Sequence, residues 1–96
     1  MARQAEEPPP VLHHGTAPTT WPLIKREGLR PMARQLVHLS VDRATAELVG
    51  RRKAPHPVLL EVAAGRAYAD GIAFYRGNDT TWLADHVPPH YLRRQN

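Results

Sequence analysis

Two short stretches hold the side chains best suited to chemistry, Leu12-His13-His14-Gly15-Thr16 and Val37-His38-Leu39-Ser40. In each, a histidine near the end of an apolar segment is followed two residues later by a hydroxyl: His14 by Thr16, His38 by Ser40. Imidazoles can donate, accept or carry a proton near neutral pH, so such a pair suits a catalytic, metal-binding or ligand-gripping cleft. By periodicity alone each histidine is equally well read as a satisfied structural side chain.

Several familiar sites are struck out. Neither a G-x-G-x-x-G turn after a strand nor a G-x-x-x-x-G-K-[ST] loop is present, so the common dinucleotide and P-loop scaffolds are not supported. Ser40 is the sole serine and has no G-x-S-x-G elbow around it. The histidines number six, but His86 and His90 are separated by Val87-Pro88-Pro89, which cannot present i, i+4 ligands from a helix, and the expectation is no metal. Cysteine is absent, which removes disulfides, thiolate catalysis and sulfur-based zinc sites.

Charge is concentrated. Between Lys25 and Lys53 lie Lys25, Arg26, Arg30, Arg34, Arg43, Arg51, Arg52 and Lys53 against Glu27, Asp42 and Glu47, so this third of the chain accounts for the whole formal charge of +4. A basic stretch suits a phosphate-bearing partner, or is simply a solvated helical face. At 96 residues the chain is at most one small domain. It has no apolar run of membrane-spanning length and no export-type apolar leader, so a cytoplasmic setting without membrane contact is expected.

The elements that must position these side chains alternate. Residues 1–10, ending in Pro8-Pro9-Pro10, read as a flexible lead-in, residues 11–92 as the folded lobe and 93–96 as a basic tail. Val11–His14 reads as a strand broken at Gly15. A helix follows from a Thr19/Thr20 cap to about Glu27, stopped by Gly28, with Trp21, Ile24 and Leu29 on its buried side. Leu36–Ser40 reads as a strand in which Ser40 also caps the next helix. That helix buries Val41, Ala44 and Leu48 and stops at Gly50. Val58–Val62 is the strongest strand, followed by Ile72–Tyr75 and Thr80–Leu83 around a turn at Gly77-Asn78-Asp79. The tail packs through Val87, Tyr91 and Leu92. The pattern is α+β.

The ordered motifs Leu12-x-His14-Gly15-Thr16, Glu27-Gly28-Leu29, Arg34-x-x-Val37-His38-Leu39-Ser40, Ala46-x-x-Val49-Gly50-x-Arg52, Pro57-Val58-Leu59-Leu60, Gly71-x-x-Phe74-Tyr75 and Trp82-Leu83 with Val87-Pro88-Pro89-x-Tyr91 resemble the RNA 2′-phosphotransferases, in their C-terminal, NAD-binding lobe. The resemblance implies an ADP-ribosyltransferase-like split β-sandwich, with two small sheets about a cleft that grips NAD. It implies that His14 bonds a ribose hydroxyl, that the Gly15 backbone holds the nicotinamide amide, and that Thr16, His38 and Ser40 complete the grip, with Tyr75 a candidate stacking ring. Arg34, and after it Arg52, is implied to hold the 2′-phosphate of a tRNA-like RNA, with His38 and Arg34 as the catalytic pair. Arg51 and Lys53 read as exposed charge or general RNA steering.

Many relatives in the wider superfamily carry a glutamate in the strand matching Thr80-Thr81-Trp82-Leu83, and the phosphotransferases do not. A 2′-phosphate is already mostly dianionic at neutral pH, so it needs cations to position it and no base. The implied reaction removes the 2′-phosphate from RNA by transfer to the ADP-ribose of NAD, with release of nicotinamide. The family also has an amino-terminal winged-helix-like lobe supplying an arginine–histidine pair and a further arginine, where this sequence has Met1–Val11. The resemblance therefore also admits a stand-alone NAD- or ADP-ribose-binding module, an ADP-ribosyltransferase for another acceptor, or a lobe without turnover.

Overall fold

The computed structural model describes residues 4–31 and 36–96. Arg34 lies outside them. Among these residues six strands and three α-helices follow one another as β1 (Leu12–Thr16), α1 (Trp21–Glu27), β2 (Val37–Ser40), α2 (Arg43–Arg51), β3 (Val58–Val62), α3 (Ala64–Ala69), β4 (Phe74–Arg76), β5 (Thr81–Ala84), a 3₁₀ turn at Pro89–Tyr91, and β6 (Leu92–Arg94). The class is α+β, as the sequence leads one to expect.

Where two small sheets were expected, the strands form one antiparallel sheet in the order β4-β5-β2-β1-β3-β6. Its halves are nevertheless unequally joined. β1 pairs with β3 over Leu12↔Val62 to Thr16↔Val58, and β2 with β5 over Val37↔Ala84 to Ser40↔Thr81. Between β1 and β2 the register holds a single pair, His13↔Ser40. Two three-stranded halves thus meet at one rung, and the ladder stops there.

Alternation along the strands sorts side chains to two faces. On one face Leu12, Leu39, Leu60, Val62 and Phe74 are fully buried and join Ile24 of α1, Ala64 and Ala67 of α3, and Leu29, Val87 and Tyr91 from the connections. Tyr91 ties this side together: its hydroxyl donates to Asp70 Oδ2 at 2.6 Å, and the Arg66 guanidinium lies 5.1 Å from its ring centroid. α1 ends where Gly28, at φ 85°, donates its N–H to the Ile24 carbonyl. Leu29 then exchanges backbone hydrogen bonds with Val87.

On the opposite face α2 packs against β1 through its smallest residues. Ala46 and Gly50 are the buried positions of this helix, and Leu48 is 63% exposed. The expected face of Val41, Ala44 and Leu48 is therefore corrected. Apolar size points to Leu48, but the backbone of β1 comes so close at Gly15 that only Ala46 and Gly50 fit beneath it. Replacing Leu48 by glutamine should leave a urea denaturation midpoint essentially unchanged, within about 0.5 kcal/mol. A loss of 2 kcal/mol or so, the figure for a buried leucine, would contradict this orientation.

Three further readings change. Gly15 does not break β1, since it pairs with Leu59 inside the strand. Asp42, and not Ser40, caps α2: its carboxylate accepts the Thr45 N–H at 2.7 Å, which holds its pKa below the usual carboxylate range. Ser40 instead completes β2 and is buried. The helix α3 and the strand β6 are additions. The chain from Gln4 to Pro10 is tied down by Glu6 N–H on the Phe74 carbonyl and by the Pro10 carbonyl under Gly65 N–H, both 2.9 Å. At the other end, Gln95 N–H donates to the Leu59 carbonyl and Leu59 N–H to Asn96 Oδ1, extending the edge beyond β6.

Candidate functional site

Past the His13↔Ser40 rung, β1 and β2 no longer exchange backbone hydrogen bonds, and side chains take up their polar groups instead. The His14 ring donates from Nδ1 to the His38 carbonyl at 2.9 Å. Lys53, from the segment after α2, donates from Nζ to the Gly15 carbonyl, also at 2.9 Å. An unpaired buried carbonyl costs about as much as a lost hydrogen bond, so these two contacts allow the sheet to open at this point.

The opening is a cleft of about 570 Å³ reaching both sheet faces. His14, Gly15 and Thr16 of β1 form one wall, and Val37, His38 and Ser40 of β2 the other. Ile24 and Leu29 supply apolar surface, while Arg30, Arg52 and Lys53 supply positive charge. No carboxylate lines the cleft among the described residues. The volume is that of a small-molecule site.

A carbonyl accepts only, so the proton of the His14 ring sits on Nδ1 and Nε2 is left as an acceptor. Burial, and after it the positive charge of Lys53, lowers the His14 pKa from 6.5 to about 4, with the His38 carbonyl opposing the shift and the His38 ring adding to it. The imidazole is therefore neutral across the physiological range. Burial also lowers the pKa of Lys53.

The shift in His14 sets a stability profile. Below pH 6.5 the unfolded chain takes up a proton that the native ring refuses down to about pH 4, so stability falls as pH drops through that window and levels off beneath it. The contribution is about 2 kcal/mol, reduced from the full shift because the side chain is only part-buried. Urea denaturation of wild type and His14→Gln between pH 7.5 and 4 should give curves that converge as pH falls. Parallel curves would exclude this origin.

His14, Gly15, Thr16, His38, Ser40 and Arg52, all singled out in the sequence, come together on this cleft. Tyr75 is not among the lining residues. It pairs with Leu83, which pairs with His38, so the register puts it on the face of His38 two strands further out. His13 faces away from His14 along the strand and donates from Nδ1 to Gln95 Oε1 at 3.3 Å. Lys53 and Thr81 were not singled out for the cleft. The partner of Lys53 is a backbone carbonyl 38 residues away, and no local pattern signals such a contact. Thr81 follows from the β2–β5 register, which sets it opposite Ser40.

Comparison with known proteins bears on this arrangement. Residues 1–86 match a family model described as "RNA 2'-phosphotransferase, Tpt1 / KptA family". A "Probable RNA 2'-phosphotransferase" of Bacillus thuringiensis subsp. konkukian is 52% identical over 92 residues, covering 96% of this chain and 50% of that protein. Proteins of the same description from Acetivibrio thermocellus and Streptomyces coelicolor are 54% and 49% identical, over 97% and 90% of this chain and 51% and 47% of theirs. The chain spans about half the length of the curated relatives it matches.

Proposed function

This chain belongs to the RNA 2′-phosphotransferase, Tpt1 / KptA family, and we propose that its cleft holds NAD for removal of a 2′-phosphate from RNA. The observation that carries this reading is the composition of the cleft, which presents Arg30, Arg52 and Lys53 and, among the described residues, no carboxylate. Such a site suits two anionic ligands, a dinucleotide and an RNA phosphate. With no carboxylate there to take the proton of an acceptor hydroxyl, the cleft favours a phosphate acceptor, which is already deprotonated.

The residues fit NAD in kind. His14, neutral and with Nε2 free to accept, is suited to a ribose hydroxyl. Gly15 has its backbone toward the gap, where a carboxamide would bond to it, and Thr16 and Ser40 lie buried beside it. His38 forms the opposite wall, and Tyr75 is kept as a ring two strands beyond. Arg52, with Arg34 before β2, is proposed to hold the RNA 2′-phosphate. Arginine forks match phosphate oxygens and remain charged at every working pH.

NAD bound here would supply an ADP-ribosyl group with nicotinamide as its leaving group; the RNA 2′-phosphate would bond to the ribose in its place, and in a second step the phosphate's bond to the RNA 2′-oxygen would break as a ribose hydroxyl takes its place, leaving a plain 2′-hydroxyl and ADP-ribose cyclic phosphate. The chain's part is to fix the ribose through His14 and to keep the phosphate beside it through arginine. Turnover is proposed for this cleft together with the arginine–histidine-bearing lobe that the resemblance implies. Calorimetric titration with NAD or ADP-ribose should give saturable binding to this chain. No binding would overturn the proposal.

The half-length match favours a second reading, a module that binds NAD or ADP-ribose without this transfer, or one that modifies another acceptor. Labelled NAD incubated with 2′-phosphorylated RNA, plain RNA and protein separates the two. Label transfer only in the presence of phosphorylated RNA supports the first reading. Transfer to plain RNA or protein, or binding without transfer, supports the second.

A further inference from the structure

Lys53 holds an unusual position for a lysine. Its ammonium donates to a neutral backbone carbonyl, that of Gly15, within the cleft lining. No carboxylate lies within 4.0 Å of it among the described residues, whereas Arg26, Arg30, Arg51, Arg76 and Arg93 all have acidic neighbours. Partial burial lowers its pKa, so the charge is held at some cost in solvation.

The carbonyl it covers is the one that a carboxamide would need. Leu59 turns its N–H and carbonyl outward to Asn96 and Gln95, so in β3 the groups of Val58, Leu60 and Val62 face β1. It follows that Leu12, His14 and Thr16 bond to β3, while Gly15 directs both its N–H and its carbonyl toward β2. Beyond the last rung β2 does not meet them. A donor and an acceptor on one residue, side by side and facing open space, complement a planar primary carboxamide. Lys53 occupies the acceptor half of this pair.

Resting on the proposed NAD reading, we infer that Lys53 is a displaceable plug that makes the cleft discriminate against free nicotinamide in favour of the intact dinucleotide. A neutral carboxamide entering alone must evict an ammonium that has no better partner. A ligand with phosphates brings that partner with it, since a hydrogen bond to an anion is about twice as strong as one to a neutral carbonyl. The ammonium then moves from carbonyl to phosphate and Gly15 is released to the carboxamide. Once nicotinamide has been detached, its return is opposed whenever Lys53 is back in place.

The test is calorimetric, on wild type and Lys53→Met, which keeps the apolar stem and removes the charge. Nicotinamide should bind about tenfold more tightly to Lys53→Met than to wild type, with NAD bound no more tightly than before. Wild type alone provides a second measurement should the variant not fold. ADP should strengthen nicotinamide binding several-fold by drawing off the ammonium, and in a folded Lys53→Met this enhancement should vanish. If NAD binds but nicotinamide affinity responds neither to Lys53→Met nor to ADP, the plug is refuted and the NAD cleft stands. If NAD binds to neither protein, the reading of the cleft fails and the plug with it.

Discussion

A Gly15→Ala protein loses about 3 kcal/mol or more of its folding free energy, a large share of what a domain of this size has. A Cβ at Gly15 would lie 2.3 Å from the Ala46 carbonyl oxygen and 2.9 Å from Gly50 Cα. Both are backbone atoms of α2, so no rotamer change relieves the clash and the helix must lift from the sheet. Gly50 is itself confined, since a Cβ there would meet the Pro57 side chain at 2.8 Å. Gly71 is the matched control. It has φ 104° and nothing within 4 Å of a built Cβ, so alanine there brings only backbone strain of about 1 kcal/mol. Urea denaturation of the three proteins measures the contrast, and equal midpoints for the two variants would refute the close packing of β1 on α2.

The glycine of the His14-Gly15-Thr16 motif therefore has a structural explanation independent of ligand. The family resemblance assigns Gly15 to the approach of nicotinamide, but the Cβ direction points at the helix and not into open cleft. On the proposed reading its contribution to binding is through its backbone groups. Its lack of a side chain serves α2.

His14→Ala should weaken NAD binding by about ten- to a hundredfold, the range for losing a buried hydrogen-bond partner together with the packing around it. Two functions go at once, the free Nε2 acceptor and the Nδ1 bond that holds the His38 carbonyl. The pH profile distinguishes this ring from an ordinary histidine. With a pKa of about 4, His14 keeps Nε2 unprotonated from pH 8 down to about 5, so its contribution to NAD affinity stays level there and is lost as pH approaches 4. A profile breaking near 6.5 would show that the imidazole is not held neutral, and an unchanged affinity in His14→Ala would remove it from the site.

Much of this was legible because it depends on local rules. Val58–Val62 is apolar at every position but Glu61 and is an interior strand between β1 and β6. α1 has its proline in the first turn and its glycine at the end, and the Gly77-Asn78-Asp79 turn joins β4 to β5 as its composition suggests. The cleft residues were legible only through the order of the motifs, since neither His14 nor His38 is distinguished by periodicity. What escaped depends on contacts distant in sequence. Ala46 and Gly50 are buried because they are small, the opposite of the signal that hydrophobicity gives. α3 lacks any side-chain cap, so its start is unmarked. β6 is two-thirds arginine, and its pairing with β3 is supported by Arg93 reaching Glu61 at 3.1 Å, a partner 32 residues back.

The single rung between β1 and β2 makes the sheet an unfinished one. Each half is complete within itself, and what separates them is a row of strand positions with no strand opposite. A molecule lying in the gap and bonding to both walls would act as the missing segment of that ladder. On the proposed reading NAD is therefore a structural member as well as a reactant: the grip that prepares it for reaction is also the seam that closes the protein around it, and release of nicotinamide reopens that seam.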